Sequence, residues 1–415
     1  MKIYRTKTKC VLCDAQNLTR LTNFPDTPLA NQLFSPSDLP KGGQIFVPLN
    51  LCLCNDCKHI QIDTLVDPSI LFADYPYVSN SSEAMALRLN GVADKYIKRF
   101  GLDSSDLVLE IGSNDGYLLS KFMAHGCSVL GIDPAVNATN IAIQNGVPSI
   151  VEFFSEDIGK KILDENQKPR IIIANNVLAH SDSLQDIFSG ISLLMSNATT
   201  TIIEFSYVVD VFEKLLFDTI YHEHTSYHSI FSLVDFLKKF GLEIFDVERF
   251  DAHGGSARVF IKKRTGKQEV EKSVTSALEY EAQIRINEVD SWENFNSRIT
   301  MLANVLNTEI SRMRADGQSL IGYGVPAKFT SLFHILGLNE TDFDYIVDDN
   351  PLKIGKIAPG TKIVISKTEE VSGSQNAIIF SWNYSSSITE KIIQTNLVTK
   401  QLLIPLPEFQ VISLS

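Results

Sequence analysis

The stretch VLEIGSNDGYLL, residues 108–119, runs from an apolar strand through a glycine turn into a helix, and its reading decides the fold. The strand is read at Leu107–Ile111, with Glu110 near its carboxyl end, and Gly112, Asn114, Asp115 and Gly116 form the turn. Glycines there let the backbone pass close to a ligand without a Cβ collision. The turn lacks the full G-x-G-x-x-G of a dinucleotide fingerprint. Downstream, CSVLGIDPA (127–135) reads as a second strand that ends in Asp133 and Pro134. A carboxylate at that place can accept both hydroxyls of an adenosine ribose; the alternative for Asp133 is a cap on the following helix. IIIANNVLAH (171–180) is a third buried strand whose end carries Asn175, Asn176 and His180. In an open parallel sheet, ligands lie at the carboxyl ends of the strands. Acids at Glu110 and Asp115 repel a pyrophosphate but suit a ligand with a sulfonium and an amino group, so S-adenosylmethionine is favoured over NAD.

Outward from this centre the chain alternates strand and helix. Further strands are read at Thr200–Phe205, Glu243–Phe250 and Ala257–Lys263, the last two close enough to pair antiparallel. Helices run roughly from Gly116, Val136, Glu156 and Ser183, with another near Leu233–Phe240. Such alternation predicts an α/β fold with a doubly wound sheet of the class I methyltransferase type. Ser81–Phe100 reads as a helix before it, and Val270 to about Arg314 as one or two long connecting helices. A second α/β stretch follows, in which Ser319–Ile321 enters the turn GYGVPAK (322–328) before a helix Phe329–Leu336 and buried strands at Tyr345–Val347 and Ala377–Phe380.

The 415 residues exceed one ordinary domain. A hydrophobic share of 44%, a charged share of 21% and mean hydropathy near zero describe a globular chain. The net charge of −12 argues against nucleic-acid binding. No apolar run reaches membrane-spanning length, and the N-terminus has no apolar segment of the secretory kind. The expectation is a cytoplasmic protein.

Five of six cysteines precede residue 58. Cys10/Cys13 and Cys54/Cys57 form two C-x-x-C knuckles, which together supply four sulfur ligands for a closed tetrahedral zinc site. A site with four protein ligands has no open position, so this zinc is expected to fold the first seventy residues, otherwise irregular, and not to catalyse. Cys52 is spare and Cys127 reads as a core thiol.

FDTIYHEHTSYHS (217–229) concentrates Tyr221, His222, Glu223, His224, Tyr227 and His228. H-E-H lacks the spacing of a zincin helix. In a strand, His222 and His224 would share one face, and imidazoles near pH 7 suit acid/base work. HGGSARVF (253–260) places His253, Gly254 and Arg258 at a strand entrance, where an anion or sugar contact competes with a plain hairpin turn. Tyr323 and Lys328 of the GYGVPAK turn are the remaining candidates for substrate binding.

CVLC, LCNDC, EIGSNDGYLL, GIDPA, NNVLAH, FDTIYHEH, HGGS and GYGVPAK occur here in the order found in the sugar C-methyltransferase family, typified by the tetronitrose C-3′-methyltransferase. The resemblance covers nearly the whole chain. It implies a zinc-binding domain (1–75), an S-adenosylmethionine-dependent core (76–265) and a C-terminal Rossmann-like domain that contributes to sugar-nucleotide binding (266–415). It implies methylation of a carbon beside the ketone of a nucleotide-linked keto-deoxysugar, on dTDP, GDP or CDP. The base it implies is His224, with Tyr221, His222, Glu223, His180 and either Tyr75 or Tyr77 around the sugar. Where the family has Gly-Asn after its A-P-A-K, this chain has Phe329-Thr330. The alternatives are an O- or N-methyltransferase, an NAD-dependent oxidoreductase and a non-catalytic zinc-scaffolded binding protein. The expected assembly is a monomer or weak homo-oligomer.

Overall fold

The computed structural model describes residues 3–67, 70–71, 83–165, 168–252, 254–371 and 373–414. Seven short strands build the N-terminal part: β1 (Tyr4–Thr6), β2 (Leu18–Arg20), β3 (Thr27–Pro28), β4 (Phe46–Val47), β5 (Leu51–Cys54), β6 (Ile60–Ile62) and β7 (Thr64–Val66). β1 pairs with β7, β3 with β4, and β2, β5 and β6 form an antiparallel sheet. This part is more regular than its Pro- and Asn-rich sequence suggests, because strands of two to four residues are too short to display a hydrophobic period.

Helix α1 (Glu83–Phe100) buries Leu89, Val92, Ala93 and Tyr96 against one face of the central sheet. The first two residues of the helix expected from Ser81 lie outside the described residues. Then follow β8 (Leu107–Ile111), α2 (Tyr117–Ala124), β9 (Ser128–Ile132), α3 (Val136–Gln144), β10 (Ser149–Ile150), α4 (Glu156–Glu165), β11 (Ile171–Asn175), α5 (Leu184–Leu194), β12 (Thr200–Ser206), α6 (Val208–Glu213), β13 (Ser226–Tyr227), α7 (Ile230–Lys238), β14 (Leu242–Phe250) and β15 (Ser256–Lys263). The sheet order is β10-β9-β8-β11-β12-β15-β14, parallel from β10 to β12, with β15 antiparallel to both β12 and β14. Every residue of β8 is buried, as expected of a strand covered on both faces. β13 leaves this sheet and pairs with β6, so the N-terminal sheet borrows a strand from the middle of the chain.

Two helices precede the last part. α8 (Lys272–Gln283) lies on β14 and α7. Glu281 explains this: its buried carboxylate accepts the Tyr207 hydroxyl at 2.7 Å and the first amides of α7, Ile230 at 2.6 Å and Phe231 at 2.9 Å. α9 (Val289–Ala315) turns a stripe of Trp292, Phe295, Ile299, Leu302, Leu306, Ile310 and Met313 toward the C-terminal sheet. Each such side chain contributes roughly 1.5–3 kcal/mol when fully buried. β16 (Leu320–Tyr323), α10 (Phe329–Ile335), β17 (Tyr345–Val347), β18 (Ile365–Ser366), β19 (Ser374–Ile379), α11 (Ser385–Thr395), β20 (Val398–Ile404) and β21 (Gln410–Ser413) complete the chain. Their order is β18-β17-β16-β19-β20-β21, parallel except for β21. Leu49, Leu51, Leu53, Ile60 and Ile62 share one apolar core with this sheet, which joins the two ends of the chain. Among the described residues, no helix is long and apolar enough to cross a membrane.

Glu281→Ala leaves three donors, two of them buried, without their acceptor and should lower stability by about 2–4 kcal/mol, measured by urea unfolding. An unchanged midpoint contradicts the anchoring of α8.

Candidate active site

The carboxyl ends of β8, β9 and β11 open into a cavity of about 480 Å³ whose wall includes Glu110, Gly112, Asn114, Asp133, Pro134, Asn175, Asn176 and His180. Gly112 has φ +71°, and a Cβ on it would stand 2.4 Å from the Val177 side chain. Only glycine lets the first turn approach the third. Asp133 ties the turns together, since its Oδ2 accepts the Asn114 amide and its Oδ1 the Ala135 amide, each at 2.8 Å. This carboxylate holds backbone and lines the cavity, while the residue that caps the following helix is Ala135 and not Asp133.

Asp115 and Gly116 stand elsewhere. They line a separate cleft with Tyr117, Ile141 and Val147, and not the donor cavity. Gly116 is required because φ is +72° and a Cβ would meet Ala142 and Val147 at 3.0 Å. Adjacent turn residues point to opposite sides, which a glycine motif alone does not reveal.

Glu110 is fully buried, and burial, then Asp133 and Asp115, push its carboxyl well above the usual range. Its Oε2 and the Asn175 Oδ1 are buried without a hydrogen-bond partner among the described residues. A ligand that brings positive charge and N–H donors answers both, so the cavity fits the sulfonium and ammonium of S-adenosylmethionine. Further wall residues escaped the sequence reading: Arg88, Ser113, Phe153, Phe154, Asp182 and Asp186. Phe153 and Phe154 follow β10, and Asp182 follows His180, so strand-end position was the available signal; Arg88 sits on α1 and gave none.

His180 stands between two cavities. It lines the donor cavity and also a second cavity of about 260 Å³ with Arg5, Asp67, Asp182, Glu223 and Thr225. Its ring meets the His224 ring edge-on at 4.9 Å. Burial pushes His180 down to about 4, so it is neutral near pH 7. His224 Nδ1 lies 2.9 Å from the Thr219 carbonyl and its Nε2 3.0 Å from the Tyr221 hydroxyl. A carbonyl only accepts, so Nδ1 carries the proton, and in the neutral ring Nε2 accepts from Tyr221. Glu223 is buried, accepts Asn31 Nδ2 at 2.9 Å, and is pushed up to about 7 by that burial.

The expected sharing of one face by His222 and His224 does not hold. Residues 221–223 form a turn, closed by the His224 amide on the Tyr221 carbonyl at 2.9 Å. His222 Nε2 instead donates to the Pro48 carbonyl at 3.1 Å, in the N-terminal part. Tyr75, Tyr77 and His253 lie outside the described residues.

The other substrate candidates line none of these cavities. Gly254 lies against Leu216 and Trp382. The Tyr323 hydroxyl donates to Asp349 at 2.8 Å. Lys328 faces Asp218 and lies 4.9 Å from the Trp382 ring centroid. Arg258 is buried within the sheet, bound to Glu204 at 2.8 Å and Glu248 at 3.1 Å, so its charge is spent on carboxylates and its reading as an anion contact is corrected.

At the N-terminus, one sulfur from each of Cys10, Cys13, Cys54 and Cys57 lies within 4.8 Å of the others. Cys10–Cys57 and Cys13–Cys54 stand at 3.5 Å, too far for disulfides and close to the edge of a sulfur tetrahedron about an ion. The Cys57 hydrogen bond draws Cys10 down to about 6, whereas burial holds Cys13 up at about 11. Four thiolates therefore assemble only around a cation. The four residues fit zinc.

The sheet order and this donor cavity define a class I S-adenosylmethionine-dependent methyltransferase. Residues 85–247 match the family model of a methyltransferase domain, 251–407 that of a C-methyltransferase C-terminal domain, and 10–72 that of a zinc binding domain. The chain is 30% identical over 413 residues to C-methyltransferase NovU of Streptomyces niveus, covering 99% of this chain and 98% of that protein. It belongs to the C-methyltransferase family, uses S-adenosylmethionine and carries a zinc-binding N-terminal domain. The O- and N-methyltransferase, oxidoreductase and scaffold readings give way to it. Solved structures resemble the chain weakly: PH0226 protein from Pyrococcus horikoshii OT3 at 13% identity, covering 47% of this chain and 98% of that one with TM-score 0.37, and magnesium protoporphyrin IX methyltransferase from Synechocystis PCC 6803 with bound SAM at 15%, 43%, 79% and 0.32.

Metal analysis of the purified protein should find one zinc per chain, and a Cys10→Ser/Cys54→Ser variant should lose it and melt earlier. Wild-type folding of a zinc-free variant contradicts a structural role. For Glu223, the folded protein keeps a proton up to about pH 7 that the unfolded chain, at the ordinary 4.5, has already released. Wild type should therefore lose stability relative to Glu223→Gln as pH rises from about 4.5 to 7, with a constant gap above. Melting curves of the pair across that range test it; a gap independent of pH contradicts it.

Proposed function

We propose that this enzyme methylates the carbon beside the ketone of a nucleotide-linked keto-deoxysugar through a base-generated enolate. The observation that carries the reading is the Thr219–His224–Tyr221 arrangement, whose His224 ring meets His180, a residue of the donor cavity's wall. A C–H becomes nucleophilic only after its proton is removed, and a neighbouring ketone makes that removal possible. The Nδ1 bond to Thr219 leaves the His224 lone pair on Nε2, and the same carbonyl stabilises the imidazolium that forms. As the ketone enters, the Tyr221 hydroxyl moves from Nε2 to the substrate oxygen, where it donates to the enolate. Neutral His180 supplies a second polar group without adding charge near the base. His222 holds the loop to the N-terminal part, and Glu223 binds Asn31 beneath it. S-adenosylmethionine, when bound, would supply an electrophilic methyl on its sulfonium, and Glu110, Asp133, Asn175 and Asn176 would hold it in the cavity. Positioning of the two reactants supplies much of the acceleration. The nucleotide of the acceptor is dTDP, GDP or CDP.

The base acts before methyl transfer, so the enzyme should exchange the acidic C–H of a suitable keto sugar with deuterated water when the donor is absent. His224→Asn should slow this exchange and methylation together by about 10² to 10⁴, whereas Asp133→Ala should spare exchange. Mass spectrometry of recovered substrate reads it. Wild-type exchange by His224→Asn assigns the proton to another group.

A further inference from the structure

Tyr227 is the buried phenol of the FDTIYHEHTSYHS stretch, and the chemistry above leaves it without a task. Its hydroxyl donates to the Thr219 carbonyl at 3.2 Å, and His224 Nδ1 meets the same oxygen at 2.9 Å. Among the described residues, these are the two side chains that donate to this carbonyl. Burial pushes the Tyr227 hydroxyl well above its usual range, against a smaller opposing pull from the Tyr221 backbone. The phenol therefore keeps its proton and remains a donor.

A second donor on one carbonyl can either aim the oxygen or share it. The aim is fixed without Tyr227. The peptide unit that carries the Thr219 oxygen also carries the Ile220 N–H, which donates to the Phe217 carbonyl at 3.0 Å. On one side of that unit, the Thr219 amide and hydroxyl both bind the Leu216 carbonyl, at 3.0 Å and 2.7 Å. On the other, the Ile220 carbonyl accepts the Ser331 hydroxyl. Sharing is what remains. A carbonyl oxygen has two lone pairs, and a donor on one draws electron density from the other, so each bond is weaker than it would be alone. A hydrogen bond that favours the charged form of a ring raises its hold on the proton, and charge-assisted bonds are the stronger ones. A second donor on Thr219 therefore costs the protonated ring more than the unprotonated one.

We propose that Tyr227 is a positioning residue for His224: by sharing the Thr219 carbonyl, it limits how firmly that carbonyl holds the protonated ring, so that His224 both takes a proton and gives it up. Tyr227 is itself placed by the N-terminal sheet, since it pairs with Ile60 of β6. The departure of β13 from the central sheet thereby reaches the base. The other titratable groups around the ring are the Tyr221 hydroxyl, the His180 ring, the adjoining Glu223, and Asp218, which faces Lys328 one residue before Thr219. Removing the phenol oxygen alone alters none of them. The catalytic meaning rests on His224 as the base; the sharing of the carbonyl does not.

The test is a nitrogen-15 titration of His224 in the full zinc-loaded chain, with its signals assigned by their absence in His224→Asn. Tyr227→Phe keeps the ring in the core and removes the donor. The His224 midpoint should rise by about half a unit relative to wild type, the scale of one long neutral hydrogen bond. Tyr207→Phe loses a buried hydroxyl bound to Glu281 instead, and should leave the midpoint in place. A Tyr227→Phe midpoint at or below the wild-type value, or an equal rise in Tyr207→Phe, overturns the proposal. Should Tyr227→Phe fail to fold, 3-fluorotyrosine is placed at position 227, where it is a stronger donor. The midpoint must then fall, and one that stays or rises overturns the proposal. Donor-free exchange keeps the two readings apart. Wild-type exchange by His224→Asn removes the base and leaves the Tyr227 shift standing, whereas lost exchange without that shift overturns the role of Tyr227 alone.

Discussion

The hydrogen bond from His224 Nδ1 to the Thr219 carbonyl decides which nitrogen can take a proton, and it exists only because residues 217–228 are held from every side. Asp218 accepts Trp382 Nε1 at 2.6 Å, and the Ile220 carbonyl accepts Ser331, so the C-terminal sheet grips the start of the loop. His222 on Pro48 and Glu223 on Asn31 bind its middle to the N-terminal part. Thr225 Oγ1 donates to the Ala179 and Ser181 carbonyls, each at 3.0 Å, and Ser226–Tyr227 pair with β6. Three regions of the chain therefore converge on one turn. A loop of this composition would sample many conformations if left alone, and the tertiary contacts remove them.

This arrangement gives the flanking parts a physical purpose. The zinc cluster lies far from the methyl donor in the chain's chemistry, yet it fixes the knuckles that brace the active-site wall. Asp14, just past Cys13, accepts Gln185 at 2.7 Å, and Arg5 bridges to Asp182 at 3.0 Å. The segment after His180 is thus held from the N-terminal side. The C-terminal sheet acts similarly through α10, whose Ser331 and whose neighbour Lys328 face the loop.

Much of the fold was legible because its signals are local and repeated. β8, β9, β11 and β12 are continuous apolar runs with turn residues between them, and a parallel sheet buries such runs on both faces. β10 and β13, two residues each, carry no period and were unreadable. At the site, the wall residues at strand ends were found because topology puts them there. The YHEH alternation misled, since its backbone is set by Pro48, Asn31 and Ser331, whose contacts span 111 to 192 residues in sequence. Arg258 misled for the same reason: its partner Glu204 sits 54 residues earlier, on the neighbouring strand.

The central claim is that His224 keeps its proton on Nδ1, held by the Thr219 carbonyl, and meets the Tyr221 hydroxyl through Nε2. Nitrogen-15 spectroscopy of histidine-labelled protein near pH 7 tests this most directly, with the His224 signals assigned by their absence in His224→Asn. The account predicts a protonated Nδ1 and a hydrogen-bonded Nε2. A proton on Nε2 with none on Nδ1 contradicts it.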